Sequence, residues 1–280
     1  MVSLAGASGT GKTYSALRLA TGLSGDKPFA VLDTEAGRAL HYTDDFKFDH
    51  SDFAPPFTPE RYTEAVDAAV KAGYKAIVID SMSHEFDGEG GIFEAAESGG
   101  GKGPGKWLQP KMRHKKMMNK FLQVRAHLIF CLRAERKIDM TQKDSNGKMI
   151  VVDQGWVPIC EKKFGYEMTI RFTLNPTAPG MVDLTLPHKV EDHHRMAFMP
   201  GAFIDEAGGK LLADWSQGKT VETPNKKLWD QARRIAQEGG EALKTFWSKV
   251  ATDEDKVNLR VIGAQLRGMA NTADANKEPW

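Results

Sequence analysis

Eight residues near the start of the chain, Gly6 to Thr13, read GASGTGKT. Glycine, four residues, glycine, lysine and then a hydroxyl side chain is the spacing of a phosphate-binding loop. Glycines at 6, 9 and 11 let successive backbone N–H groups turn inward toward phosphate oxygens, and the positive end of a following helix faces the same anion. Lys12 would reach the β- and γ-phosphates, and the Thr13 hydroxyl would ligate a phosphate-bound Mg2+. A glycine-rich turn with a chance lysine would give the same letters. The flanks argue against it: VSLA precedes as a short apolar strand and TYSALRLATGL follows as an amphipathic helix. Gly6, Ala7, Ser8, Gly9, Thr10, Gly11, Lys12, Thr13 and the adjoining Tyr14 are therefore the candidate contacts of a nucleotide, with ATP and Mg2+ the expected ligands.

Polar residues at the ends of three apolar runs would complete the chemistry. KPFAVLD, residues 27–33, reads as a buried parallel strand and delivers Thr34 and Glu35 at its carboxyl end, where doubly wound sheets gather their ligands. Glu35 is a candidate general base for water attacking the γ-phosphate, the alternative being a surface-loop carboxylate. KAIVID, residues 75–80, is a second such strand, and Asp80 would hold magnesium through a water or through the Thr13 hydroxyl, with Ser81 beside it. AHLIFCL, residues 126–132, is a third and ends in Arg133, placed to sense the γ-phosphate.

The elements that must carry these residues fit an α/β chain. Its 280 residues, 41% hydrophobic, allow one large domain with a small appendage. Its 38 basic and 37 acidic residues nearly cancel, so an anionic partner must be met by a local patch. No apolar run approaches a bilayer span, no leader precedes the phosphate loop, and Cys131 and Cys160 read as reduced core residues, which together suggest a cytoplasmic protein without a membrane. The domain reading is 1–215 as the nucleotide domain, 216–224 as a linker, and 225–280 as a small C-terminal unit of three helices with a disordered tail.

Within the first domain, residues 42–59 read as an irregular connection with one short edge strand, and Thr58 as the N-cap of a helix entered by Pro59. Residues 88–105, with many glycines, and 139–153, around SNG, read as mobile loops. The segment 106–125 reads as a helix, and the cations Lys102, Lys106, Lys111, Arg113, Lys115 and Lys116, helped by Lys143 and Lys148 on the second loop, form a candidate surface for single-stranded DNA. A merely solvated helix face is the competing reading. YEMTIRFTL (166–174) and MVDLTL (181–186) read as a β-hairpin, and His188, His193 and His194 sit among charged neighbours that do not suggest a metal site.

In the order GASGTGKT, VLDTE, AIVIDS, LIFCLR, residues 1–215 resemble the RecA-like recombinase ATPases, in particular phage-encoded AAA/RecA-like ATPases associated with single-strand annealing and recombination. The resemblance implies a RecA-like core of mostly parallel sheet flanked by helices, with a β-hairpin extension and the helical appendage. It also implies ATP hydrolysis, stimulated by DNA, at sites between subunits of a ring or filament. In such enzymes the water-activating glutamate ends the strand after the phosphate-loop helix, which matches Glu35, whereas AAA-type proteins place it near the magnesium aspartate, where this chain offers Glu85. Lys162 and Lys163 look like the residues that reach a neighbouring subunit's nucleotide. Arg133 stands where recombinases carry glutamine, a departure that bears on strand exchange and not on ATP hydrolysis. The C-terminal helices resemble tails that meet phage or host recombination and replication proteins. A motor or loader acting on a protein or helicase, and a switch with little hydrolysis, are the rival functions.

Overall fold

A computed structural model describes residues 1–25, 27–99, 101, 103–143, 149–219, 226–250, 252–260 and 262–275. The chain forms two compact units, Met1–Gln217 and Gly218–Trp280. The first is built on β1 (Val2–Gly6), α1 (Lys12–Ser24), β2 (Phe29–Asp33), β3 (Phe48–Asp52), α2 (Pro59–Lys71), β4 (Ala76–Asp80), α3 (Ser83–Asp87), α4 (Ile92–Ser98), α5 (Leu108–Phe121), β5 (His127–Lys143), β6 (Met149–Pro158), β7 (Ile170–Thr173), β8 (His188–Lys189) and α6 (Glu206–Ser216). The strands lie in the order β3-β2-β4-β5-β1-β7-β8, parallel throughout except that β8 runs against β7 and β6 against β5. Strand β5 separates the phosphate-loop strand β1 from the Asp80 strand β4, in a mostly parallel sheet flanked by helices.

Both faces of this sheet are covered at its centre, so β1, β2 and β4 are buried at every residue. Leu4, Val31, Val78, Ile129 and Phe172 pack with Leu17, Leu19 and Leu212 on one side. Leu32, Ile77, Ile79 and Phe130 pack with Tyr62, Val66, Met117 and Phe121 on the other. Strand ends are thereby fixed by buried neighbours, which holds the loops that follow them. Thr58 caps α2 as its sequence suggests, its hydroxyl accepting the Arg61 N–H at 3.4 Å, and β3 is the edge strand.

Helix α6 lies against α1 at glycine contacts. A Cβ on Gly209 would meet the Leu19 carbonyl, and one on Gly22 the Glu206 carbonyl, far inside non-bonded contact. Arg18 closes the pair with a two-pronged bond to Glu206, at 2.9 and 2.6 Å. Gly209→Val is accordingly expected to cost about 3 kcal/mol or more, since backbone must part to admit the side chain. A denaturant midpoint equal to the wild type's would show that the two helices are not so packed.

The structure corrects the sequence reading at four places. Residues 139–143 and 149–153 are strand and not loop: β5 and β6 continue as an antiparallel ribbon, with Ile138, Met140, Met149 and Val151 each more than half exposed, while 144–148, with SNG, lie outside the described residues. Residues 88–105 contain α4, anchored by buried Ile92 and Ala96, and a 3-10 turn over Gly103–Trp107. The expected hairpin fails because Ile170–Thr173 pairs in parallel with β1 and takes His188–Lys189, not 181–186, as its antiparallel neighbour. The C-terminal unit has four helices among its described residues, α7 (Lys226–Ala236), α8 (Gly240–Lys249), α9 (Asp253–Arg260) and α10 (Gly263–Ala275). They enclose Trp229, Ala232, Leu259, Ile262 and Leu266, and the Trp229 indole donates to the Asn258 carbonyl at 3.1 Å. Residues 276–280, read as a disordered tail, lie outside the described residues. No described helix is long and apolar enough to cross a membrane.

The three histidines do not converge, and no metal-binding group of three ligands occurs among the described residues. His188 Nδ1 lies 2.9 Å from the Leu186 carbonyl, while His193 stacks on Trp215 and His194 meets it edge-on. His194 is 2% exposed with neither ring nitrogen hydrogen-bonded among the described residues, and burial lowers its pKa to about 4. The unfolded imidazole, near its ordinary 6.5, binds a proton that the native one refuses. Stability is therefore expected to fall as pH drops from about 6.5 to 4, by up to roughly 3 kcal/mol. Denaturation across that window should show a shallower decline in His194→Phe; an identical decline would assign the pH dependence elsewhere.

Candidate nucleotide site

The phosphate loop leaves β1 at Gly6 and enters α1 at Lys12, with left-handed backbone at Gly9 (φ 77°) and Gly11 (φ 80°). A side chain at Gly11 would also strike the Gly180 backbone at 2.9 Å, because the Gly180 N–H donates to the Thr10 carbonyl and walls the loop on that side. Thr10 Oγ1 and Lys12 Nζ both donate to the Ala7 carbonyl, at 2.9 and 2.7 Å. The Thr13 hydroxyl donates to Asp80 Oδ2 at 2.5 Å, joining the loop to the end of β4. Burial raises the Asp80 pKa and lowers that of Lys12. Thr13 offers a hydroxyl and Asp80 a carboxylate, both hard oxygen donors, so a cation held by them would take its remaining ligands from phosphate and water, as Mg2+ does.

Glu35 follows β2 in a bend whose next residue, Ala36, is left-handed at φ 58°, a conformation that costs on the order of 1 kcal/mol without glycine. Asp33 holds the bend, accepting the N–H groups of Glu35 at 2.7 Å and Ala39 at 2.9 Å. Thr34 ties it to the neighbouring strand end: its N–H donates to the Asp80 carbonyl and its hydroxyl accepts the Ser81 N–H at 2.6 Å. A cavity of about 670 Å³ results, lined by the loop, Thr13, Tyr14, Glu35, Arg38, His41, Tyr42, Asp80, Ser81 and Arg133. Its acidic, basic and magnesium-binding candidates thus come from four strand ends, although Lys12, Glu35, Asp80 and Arg133 are far apart in sequence.

A family model described as an AAA domain matches residues 1–232. The chain belongs to this AAA-domain family. Among solved structures the AAA-domain chain is similar to the crystal structure of the RadB recombinase, with 18% identity, a TM-score of 0.36, and coverage of 61% of this chain and 72% of that one. No curated protein matches it.

Glu85, the other candidate base of this AAA domain, does not line the nucleotide cavity. It is 1% exposed, its carboxylate lies 3.1 and 3.2 Å from His114 Nδ1, and burial raises its pKa. Arg133 lines the cavity but bonds to Glu35, its Nε donating to Oε1 at 3.0 Å. Sequence reasoning missed Arg38, His41 and Tyr42, which reach the cavity on a 3-10 turn, Arg38–Tyr42, too short to show a period. Tyr14 packs edge-on against Phe46 and tilted against Tyr42, 5.3 and 5.6 Å between centroids, giving the rim an aromatic wall suited to a planar base.

The basic segment is less free than its composition implied. Arg113 forks onto Glu60 at 2.9 and 2.5 Å, Lys106 reaches Glu97 at 2.5 Å, and Lys111 lies 3.8 Å from Glu161. Lys115 and Lys116 are exposed on α5. Lys102, Lys148 and the Lys143 side chain lie outside the described residues. Lys162 lines a second cavity, of about 760 Å³, with Trp156, Phe86 and Phe93, and the Lys163 N–H donates to Glu161.

Proposed function

We propose that this protein binds ATP with Mg2+ and hydrolyses it to ADP and phosphate, and that it does so as an oligomeric, DNA-dependent recombination or annealing ATPase. The observation that carries the ATPase reading is the Thr13–Asp80 bond at 2.5 Å beside Lys12 and Glu35 in one cavity. Lys12 would neutralise phosphate charge, Thr13 and Asp80 would hold the cation, and Glu35 would accept the proton of a water whose oxygen bonds the γ-phosphorus while the bond to the leaving ADP oxygen breaks. Single-stranded DNA as partner rests on the sequence resemblance. So do assembly into a ring or filament, in which Lys162 and Lys163 would reach the neighbouring nucleotide, and recruitment of recombination or replication proteins by the C-terminal helices. The exposed apolar residues of the β5–β6 ribbon favour the second reading, an AAA-type motor or loader that grips a protein.

ATP hydrolysis measured with and without single-stranded DNA over a salt series separates the two. The first reading expects Mg2+-dependent turnover that DNA accelerates, with DNA affinity falling by a log-salt slope of about 0.7 per phosphate contact. Turnover indifferent to DNA would leave the protein-acting reading, and no turnover under any condition would overturn both.

A further inference from the structure

Glu35 does not stand alone in its cavity. Its side chain is 11% exposed, and each carboxylate oxygen is held by a different guanidinium: Arg133 Nε at 3.0 Å from Oε1, and Arg38 Nη1 at 3.1 Å from Oε2. The backbone of Arg133 is itself fixed, its N–H donating to Ser83 Oγ at 2.9 Å and its carbonyl accepting from Ile159 at 2.8 Å. One arm of the clamp therefore starts from the central sheet and the other from the 3-10 turn three residues beyond Glu35 itself.

We propose that Arg133 serves hydrolysis as a positioning residue acting through Glu35, with Arg38 as the opposing arm, and not as a contact of the nucleotide. The proposal rests on Glu35 being the base. A glutamate has three side-chain torsions, and a proton acceptor displaced by about 1 Å can cost 10²-fold in rate. Opposed charge-assisted bonds to both oxygens remove that freedom, and the Asp33-anchored bend fixes the backbone from which the side chain starts. The Arg133 Nε is already committed to a carboxylate.

The test compares Arg133→Ala, Arg133→Lys, Glu35→Gln and the Arg133→Ala/Glu35→Gln double variant in the full chain, with single-turnover assays for the slow ones. Arg133→Ala should lower kcat by about 10- to 100-fold while KM for ATP moves less than about twofold, and lysine should restore part of the loss. In the Glu35→Gln background the same change should add less than about a twofold effect, because the residue through which it acts is gone. Multiplied losses, or a collapse of the preference for ATP over ADP in binding, would make Arg133 a nucleotide contact and overturn the proposal. Hydrogen exchange of the nucleotide-free protein supplies a readout that needs no turnover. The amides of Glu35 and Ala39, both bonded to Asp33, should exchange faster in Arg133→Ala, and unchanged protection would overturn the clamp. If the wild type hydrolyses nothing, the assignment of Glu35 as base fails, and the exchange and binding results still decide whether Arg133 holds Glu35 or touches nucleotide.

Discussion

Lys12→Ala is expected to reduce ATP turnover by roughly 10²- to 10³-fold and to weaken ATP binding with it, because no other cation is built into the phosphate loop. The lysine sits where burial already disfavours its charge, and the carboxylates of Asp80 and Glu35 oppose that effect. Its ammonium donates to the Ala7 carbonyl at 2.7 Å, so the side chain is folded back over the loop whose N–H groups would face the phosphates. Alanine leaves those N–H groups without a full charge against the β- and γ-oxygens. Steady-state turnover within about tenfold of the wild type would remove the loop from the account, since one preorganised charge contact of this kind is worth more than that.

The second large effect separates two carboxylates. Glu35→Gln should lower turnover by roughly 10²- to 10⁴-fold with nucleotide binding retained, because an amide keeps the shape but cannot accept the proton. Glu85→Gln should keep turnover within about threefold and instead cost about 1 kcal/mol of stability, since it disturbs a buried bond to His114 and not the cavity. Rates and denaturation midpoints of the two variants decide the matter together. The reverse pattern, with hydrolysis intact in Glu35→Gln and abolished in Glu85→Gln, would replace the RecA-type base with the AAA-type one.

What could be read in the sequence was what depends on near neighbours. The phosphate loop, the acid-terminated strands and the Thr58 cap are short patterns whose physics is local, and the sheet that brings Glu35 and Asp80 together follows from buried strands joined by helices. Pairings across long separations were not legible: Arg133 with Glu35, Arg113 with Glu60 and Glu85 with His114 depend on how helices and loops land. These pairings set Arg133 beside a carboxylate, and similar ones hold Lys106, Lys111 and Arg113 of the basic segment against Glu97, Glu161 and Glu60. The ribbon was missed for another reason. Its signal, apolar residues two apart at Ile138 and Met140 and again at Met149 and Val151, was present, but the polar residues between them read as a loop. Helix α4 was hidden by the glycines on both sides of IFEAAES.

Mechanically, β5 is a beam clamped at one end. From His127 to Arg133 it is embedded in the sheet, and beyond Arg133 it runs on for ten residues, about 33 Å at ~3.3 Å per residue, paired with β6. A beam transmits pull along its axis but bends where its section is weakest. Those points are the register shifts at Lys137/Ile138 and between Asp139 and Gln142, the first facing the left-handed Gly155 (φ 68°). Sideways load on the exposed Met140, Met149 and Val151 would be spent at these joints, the first some four residues out from the clamp, and tension or torsion would be delivered to Arg133.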